Sequence, residues 1–205
     1  MSGVIAAIVV SYLLGSISFS ILVAKWLRKI DIRDHGSGNA GATNTLRVLG
    51  KGPGIAVFVL DIAKGVAAVF IGRALMGDEY GWLPVASGLA AIAGHNWPVF
   101  FKFKGGKGIA TTIGAMATLA LVPSLIAGAV AIAVIAATRY VSLGSMLFAA
   151  LLPIIAAIGG FDRSVVWGAV IVAVLAIFRH RKNIVKLLNG TENKLGSKKE
   201  EPHGA

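Results

Sequence analysis

The 205 residues include no cysteine. That excludes disulfides, thiolate nucleophiles and any metal or iron–sulfur site built on sulfur. Charge is scarce as well, at 14% of residues, against about 25% in an ordinary soluble domain. Acids are scarcest, with nine Asp and Glu against twenty Lys and Arg. No basic stretch precedes the first apolar block, so that block does not read as a cleavable signal. There is no HExxH zinc motif and no Gly-x-Ser-x-Gly elbow, and no metal site is expected. An internal repeat is also missing, and with it any sign of the inverted halves common in transporters.

What the chain has in quantity is apolar length. Hydrophobic residues make up 56% of it, and its mean hydropathy is +0.79. They come in long blocks, not at amphipathic spacing, which is the pattern of an all-α polytopic membrane protein. Seven spans are read, at about 4–24, 53–76, 82–101, 109–122, 124–138, 143–159 and 165–178. They form one integral-membrane domain, 1–190, and the basic polar tail, 191–205, reads as disordered. The stretch 109–138 is ambiguous, because thirty helical residues would be about 45 Å long against a core of about 30 Å. Either one tilted helix crosses there or Pro123 marks the tip of a hairpin. Charge decides. With the hairpin, seventeen of the twenty Lys and Arg share one face, leaving only Lys64, Arg73 and Arg163 elsewhere. With a single crossing, the seven cations from Arg179 onward change sides. The positive-inside rule selects the hairpin, with the N-terminus outside and the C-terminus cytoplasmic. It also accounts for the net charge of +11 without a nucleic-acid partner. Spans four, five and seven are short, which implies local bilayer thinning or interfacial ends. Gly77–Gly81 reads as a tight turn.

Between the first two spans stands a small, polar, glycine-punctuated segment, residues 31–47. Gly36, Gly38 and Gly41 permit positive φ and close backbone approach to a ligand. Ser37 and Asn39 are good N-caps for a short helix through Ala40 and Thr43 to about Leu49, ending near Gly50 or Gly52. Ala40, Thr43 or Asn44, and Arg47 would share one face. A helix N-terminus with hydroxyl, amide and guanidinium groups suits a phosphate or another oxyanion. The plainer alternative is an interfacial turn helix with no ligand.

Three more polar clusters fall on the same face. In 94–108, Gly105, Gly106 and Gly108 can form a backbone nest, with Lys107 at a helix N-terminus. It is not a Walker A loop, because Gly108 stands where Ser or Thr is needed. Lys102 and Lys104 read as interfacial anchors and Lys107 as a ligand. The turn Arg139–Ser145 offers Ser142 and Ser145, either as caps or as ligands. In 179–192, His180, Asn183 and Leu187 share a helix face. Arg181, Lys182 and Lys186 fit a basic helix on anionic lipid; His180 and Asn183 do not. Asp61 and Lys64 lie inside a span at i, i+3, either as a functional site or as a neutralising pair that holds the bundle and reaches Asn44 or Arg47. His95 shares that ambiguity. None of His35, His95, His180 and His203 begins a His-x4-Asp motif, so the acyl-CoA-type acyltransferase base is missing.

The runs Gly-Ser-Gly-Asn-Ala-Gly-Ala-Thr-Asn (36–44) with Arg47, Gly-His-x4-Phe-x2-Phe-x-Gly-Gly-Lys-Gly (94–108) and His-x2-Asn-Ile-x5-Gly-x-Glu (180–192) resemble the three cytoplasmic motifs of the bacterial acyl-phosphate:glycerol-3-phosphate acyltransferases, the PlsY type. The resemblance runs from about residue 3 to 193; Lys186 departs from the more usual Arg. It implies a seven-span enzyme of the bacterial cytoplasmic membrane that needs no cofactor and makes lysophosphatidic acid and phosphate from acyl phosphate and glycerol 3-phosphate. It also implies a functional link to the enzyme that produces acyl phosphate and to the next acyltransferase. By resemblance, Ser37, Arg47, Lys107, His180 and Ser142 or Ser145 would bind glycerol 3-phosphate. Gly38, Asn39, Ala40, Gly41, Thr43, Asn44 and Asn183 would then serve the acyl phosphate, and Lys104, Gly105 and Gly106 would complete the binding set. An organophosphate or anion transporter is the alternative, with the basic loops as its vestibule.

Overall fold

The computed structural model describes residues 2–76 and 81–196. Among them the regular elements are all helical: α1 (Ser2–Gly15), α2 (Phe19–Arg28), α3 (Ala42–Leu49), α4 (Lys51–Met76), α5 (Leu83–Asn96), α6 (Ile109–Leu119), α7 (Leu121–Thr138), α8 (Val141–Ile158), α9 (Arg163–Arg179) and α10 (Arg181–Leu188). The turn expected at 77–81 lies, but for Gly81, outside the described residues, as does the tail from 197, including His203.

Four stretches are long and apolar enough to cross a bilayer: α1 with α2, α4, α7 and α8. The pair α9 and α10, bent by 58°, makes a fifth if it is one span. At 14 and 11 residues, α5 and α6 reach only about 21 and 16 Å, short of the roughly 30 Å hydrocarbon core. The third expected span therefore stops early. Its helix ends at Asn96 because Pro98 disfavours helical geometry at Trp97. The tip of the 109–138 hairpin lies at Ala120, three residues before the expected Pro123. Proline sits comfortably in the first turn of α7, where N–H groups have no intrahelical acceptor. The chain does turn back there: Ile109 and Ile113 line the same cavity as Ile132 and Ile135.

Small residues set the helix spacing, as they do in lipid. A Cβ at Gly15 or Gly94 would collide with the facing helix, α5 or α1, and one at Gly65 or Gly114 would do the same between α4 and α6. Val69, Ile92, Met116, Phe148, Leu152 and Val172 fill the interior. Ile158, Trp167 and Val174, each more than 60% exposed, face outward, as side chains do against lipid.

The first span is broken at Ser16–Ser18. Lys64 repairs the break: its ammonium donates to Gly15 O (3.0 Å) and Ile17 O (2.9 Å) and pairs with Asp61 at 2.8 Å. His95 Nδ1 lies 3.5 Å from the same carboxylate. The expected pairing is present, but it reaches the α1–α2 break and His95, not Asn44 or Arg47. Removing one partner of a buried pair strands the other charge. Lys64→Met is therefore expected to destabilise the protein by about 3–5 kcal/mol, read by denaturant unfolding in detergent micelles. Adding Asp61→Asn should restore only part, because the Gly15 and Ile17 carbonyls stay without a donor.

Candidate active site

The polar ends of several elements meet at one cavity of about 830 Å³. The segment before α3 is held by its own side chains. Asn44, buried, accepts from Ser37 N (2.8 Å) and donates to Ile32 O and His35 O (both 3.0 Å). It staples the loop, which is a different task from the ligand contact expected of it. Gly36 (φ 62°) exists for that staple, since a Cβ there would strike Asn44 Oδ1. The helix begins at Ala42 with Gly41 as its N-cap and ends at Gly50 (φ 94°), so Ser37 and Asn39 are not its caps. Arg33 ties this loop to the next one: it pairs with Asp31 at 2.6 Å and donates to Phe101 O and Lys104 O.

The 105–108 loop is fixed from two sides. Arg179 stacks over the Trp97 ring (5.4 Å) and donates to Gly105 O and Gly106 O. Gly106 N donates to His95 O (3.1 Å). A Cβ at Gly106 would overlap His95 and the Ala40 carbonyl. The expected anion nest is thus closed at Gly106 by the protein itself. Ala40, Gly106 and Lys104 do not line the cavity; Gly38, Asn39, Gly41, Thr43 and Gly105 do. Ser37 lies exposed at its rim.

At the centre is a carboxylate that the sequence reading left out of the candidate set. Glu192 Oε1 accepts from Asn183 Nδ2 (2.8 Å) and Ser142 Oγ (2.9 Å), and Asn183 Oδ1 accepts from Lys107 Nζ (2.7 Å). Arg47 donates to Asn193 O (3.2 Å). Residues 191–196, expected to be disordered, are strapped over the 139–142 turn: Leu195 N donates to Arg139 O (2.7 Å), and the Arg139 guanidinium returns two bonds to Leu195 O. A signal was available, because Glu192 is the lone acid between Arg179 and Lys199. Ser145, buried, lines the cavity without being tied to Glu192.

Electrostatics follow from this enclosure. Burial, chiefly, lowers Lys107 to about 8, with Arg47, Arg179 and Lys186 adding to the fall and Glu192 opposing it. Burial likewise pulls Arg47 down, against Glu192. His180, at the α9–α10 bend, is pushed to about 4 by burial and then by Lys107. Its Nδ1 lies 2.7 Å from Ala176 O. A carbonyl only accepts, so Nδ1 carries the proton and Nε2 keeps a lone pair. In this tautomer Nε2 can accept a hydrogen bond. The N-termini of α3, α6 and α10 border the cavity, where their amides favour an anion. Among the described residues no cluster of three or more His, Asp and Glu could hold a metal ion. Apolar side chains, among them Phe58, Ile113, Leu125 and Phe148, line much of the rest of the cavity, with Ser124 and the paired Asp61 beside them.

A family model described as glycerol-3-phosphate acyltransferase matches residues 5–190. The glycerol-3-phosphate acyltransferase of Halalkalibacterium halodurans is 55% identical over 194 residues, 93% of this chain and 94% of that one. Its counterpart in Shouchella clausii is 56% identical over 198 residues, 95% of this chain and 97% of the other. Among solved structures, PlsY (YgiH), an integral membrane glycerol 3-phosphate acyltransferase in its glycerol 3-phosphate form, superposes with a TM-score of 0.89 at 39% identity, covering 94% of this chain and 96% of that one. The lysophosphatidic acid form of PlsY gives a TM-score of 0.86 at 38% identity, covering 94% of this chain and 95% of that one.

Because Lys107 is lowered to about 8, its cation is present below that pH and lost above it. Sulfate, whose own charge is constant there, should bind at pH 7 and weaken as pH rises through about 8. Lys107→Met should abolish that dependence, as read by isothermal titration calorimetry.

Proposed function

The chain belongs to the glycerol-3-phosphate acyltransferase family, and from that premise we propose that it moves a fatty acyl group from acyl phosphate to the sn-1 hydroxyl of glycerol 3-phosphate. One observation carries the reading. A single cavity joins a cationic end, with Arg47, Lys107 and three helix N-termini, to an apolar arm between helices. Two phosphorylated reactants, one of them with a long apolar tail, need that combination.

The family and the charge distribution support seven spans with the cationic end at the cytoplasmic face of the inner membrane. α5, α6 and α9 then cross a locally thinned region, with α10 at the cytoplasmic surface. Glycerol 3-phosphate is held by Arg47, Lys107 and the rim Ser37, with its hydroxyl against His180 Nε2. Ser145, the serine not engaged by Glu192, adds a further hydroxyl. The backbone at Asn39, Gly41 and Thr43, with Asn183, faces the acyl phosphate.

An acyl phosphate is a mixed anhydride, so orientation and charge stabilisation suffice and no covalent enzyme intermediate forms. The hydroxyl oxygen bonds to the acyl carbon, and the bond from that carbon to the bridging phosphate oxygen breaks. The hydroxyl proton goes to the departing phosphate, giving the ester and hydrogen phosphate. A histidine lowered to about 4 is a weak base at pH 7, which favours the substrate's own oxygen as the proton acceptor.

Purified protein given palmitoyl phosphate and labelled glycerol 3-phosphate is expected to form lysophosphatidic acid, with none formed from acyl-CoA; the reverse preference would overturn the donor assignment. In the same assay, His180→Ala should raise KM for glycerol 3-phosphate with an unchanged pH profile. A kcat loss of about 10²–10⁴ with a lost ionisation would instead identify a general base. Arg47→Ala should be severe, because it leaves a phosphate charge unpaired.

A further inference from the structure

We infer that Gly128 determines acyl-chain length: its missing side chain keeps the apolar arm open, and any larger residue there closes it to long chains. The inference rests on the acyltransferase reading above.

Glycine inside a helix weakens it relative to alanine, so a mid-helix glycine calls for a reason. For most of them the reason is a neighbour. Gly15, Gly65, Gly94 and Gly114 press on the backbone of an adjacent helix, and Gly144 presses on Ile135 and the Ala131 carbonyl. Gly128, in the middle of α7, is different. A Cβ built there meets nothing within 4 Å, and its φ is not in the left-handed region. No helix contact and no backbone strain requires it. What it borders is the cavity.

The arm is lined by Phe58 and Ile62 of α4, Ile113 of α6, and Leu125, Gly128 and Ile132 of α7. Leu125 and Ile132, at 61% and 68% exposure, flank the gap on either side of Gly128. Because α7 runs back toward Arg139, Ile135 borders the polar end of the cavity and Leu125 the far end. At 1.5 Å per residue, Gly128 lies about 10 Å beyond Ile135. An extended chain with bonds of about 1.5 Å advances roughly 1.25 Å per carbon, so that depth corresponds to about eight carbons. A leucine at 128 would enter the arm there.

The experiment compares octanoyl and palmitoyl phosphate as donors to glycerol 3-phosphate, with kcat/KM for each. For Gly128→Leu the palmitoyl-to-octanoyl ratio is expected to fall at least about tenfold, the scale at which a pocket discriminates by steric fit. Gly128→Ala should give a smaller fall in the same direction, with a melting temperature in detergent equal to or above that of the parent. Ratios within about twofold of the parent in both variants would overturn the inference, as would equal losses with both donors in the leucine and alanine variants. If the parent protein uses neither donor, the acyltransferase reading itself fails. Thermal stabilisation by palmitoyl lysophosphatidic acid supplies the readout without turnover. The inference requires it to be lost in Gly128→Leu while that from the octanoyl compound remains, and retention of both would sink it.

Discussion

Everything at the polar end depends on enclosing cations that have no equal number of anions to face. Arg47, Lys107 and Arg179 border one cavity, and their partial burial makes their mutual repulsion expensive. The carboxylate tied into them is Glu192, which holds Ser142 and Asn183 directly and Lys107 through Asn183; Asp61, which also lines the cavity, is paired with Lys64. That one acid explains why a short polar strap after α10 is pinned to the Arg139 turn. The strap delivers the counter-charge. It leaves a net positive surplus, and that surplus attracts a phosphorylated ligand.

The surplus is useful only if it stays where the helices put it, and the scaffold secures it by staples of differing kinds. Arg179 is itself one of the cations, yet it is consumed by Trp97 and two glycine carbonyls, so it positions the 105–108 loop and contributes charge as well. Asn44 does for the first loop what Arg179 does for the second. Lys64 does the same one layer deeper, where a broken helix would otherwise leave carbonyls bare in an apolar surrounding. The Arg179 and Lys64 staples join elements distant in sequence, while that of Asn44 closes its own loop.

The motifs were legible because their residue types are costly in apolar surroundings and therefore stand out: Arg47, Lys107, His180 and Asn183 all reach the cavity. Their division of labour was not. Asn44 looks like a ligand in sequence, and only its three bonds to its own loop show that it is a staple. Gly106 looks like part of a nest until the closeness of Ala40 and His95 is seen. Glu192 was discounted because a basic polar tail fits disorder by composition, and composition cannot register that Leu195 pairs with Arg139. Element boundaries failed where local rules outweigh hydropathy: at Ala120 in place of Pro123, and at Asn96, where the following proline ends a helix that apolar content would have carried on. Gly128 was invisible for the opposite reason, since its significance lies in what is not near it.

The chemistry follows from joining these two ends. A transporter with the same vestibule would need polar groups along its route, but the arm beyond the cations is lined by Phe58, Ile113, Leu125 and Phe148, and the charged groups within α4 are committed to each other and to the α1–α2 break. An apolar arm whose walls at Leu125 and Ile132 are exposed suits a tail that never has to leave the bilayer. The same low polarity and cationic crowding that strip His180 of basicity stabilise a leaving phosphate. A site built in this way is poor at generating a nucleophile and good at receiving a departing dianion. That balance fits the proposed acyl phosphate donor, because the barrier of an activated anhydride lies more in orienting a hydroxyl and accommodating charge than in activating the acyl group.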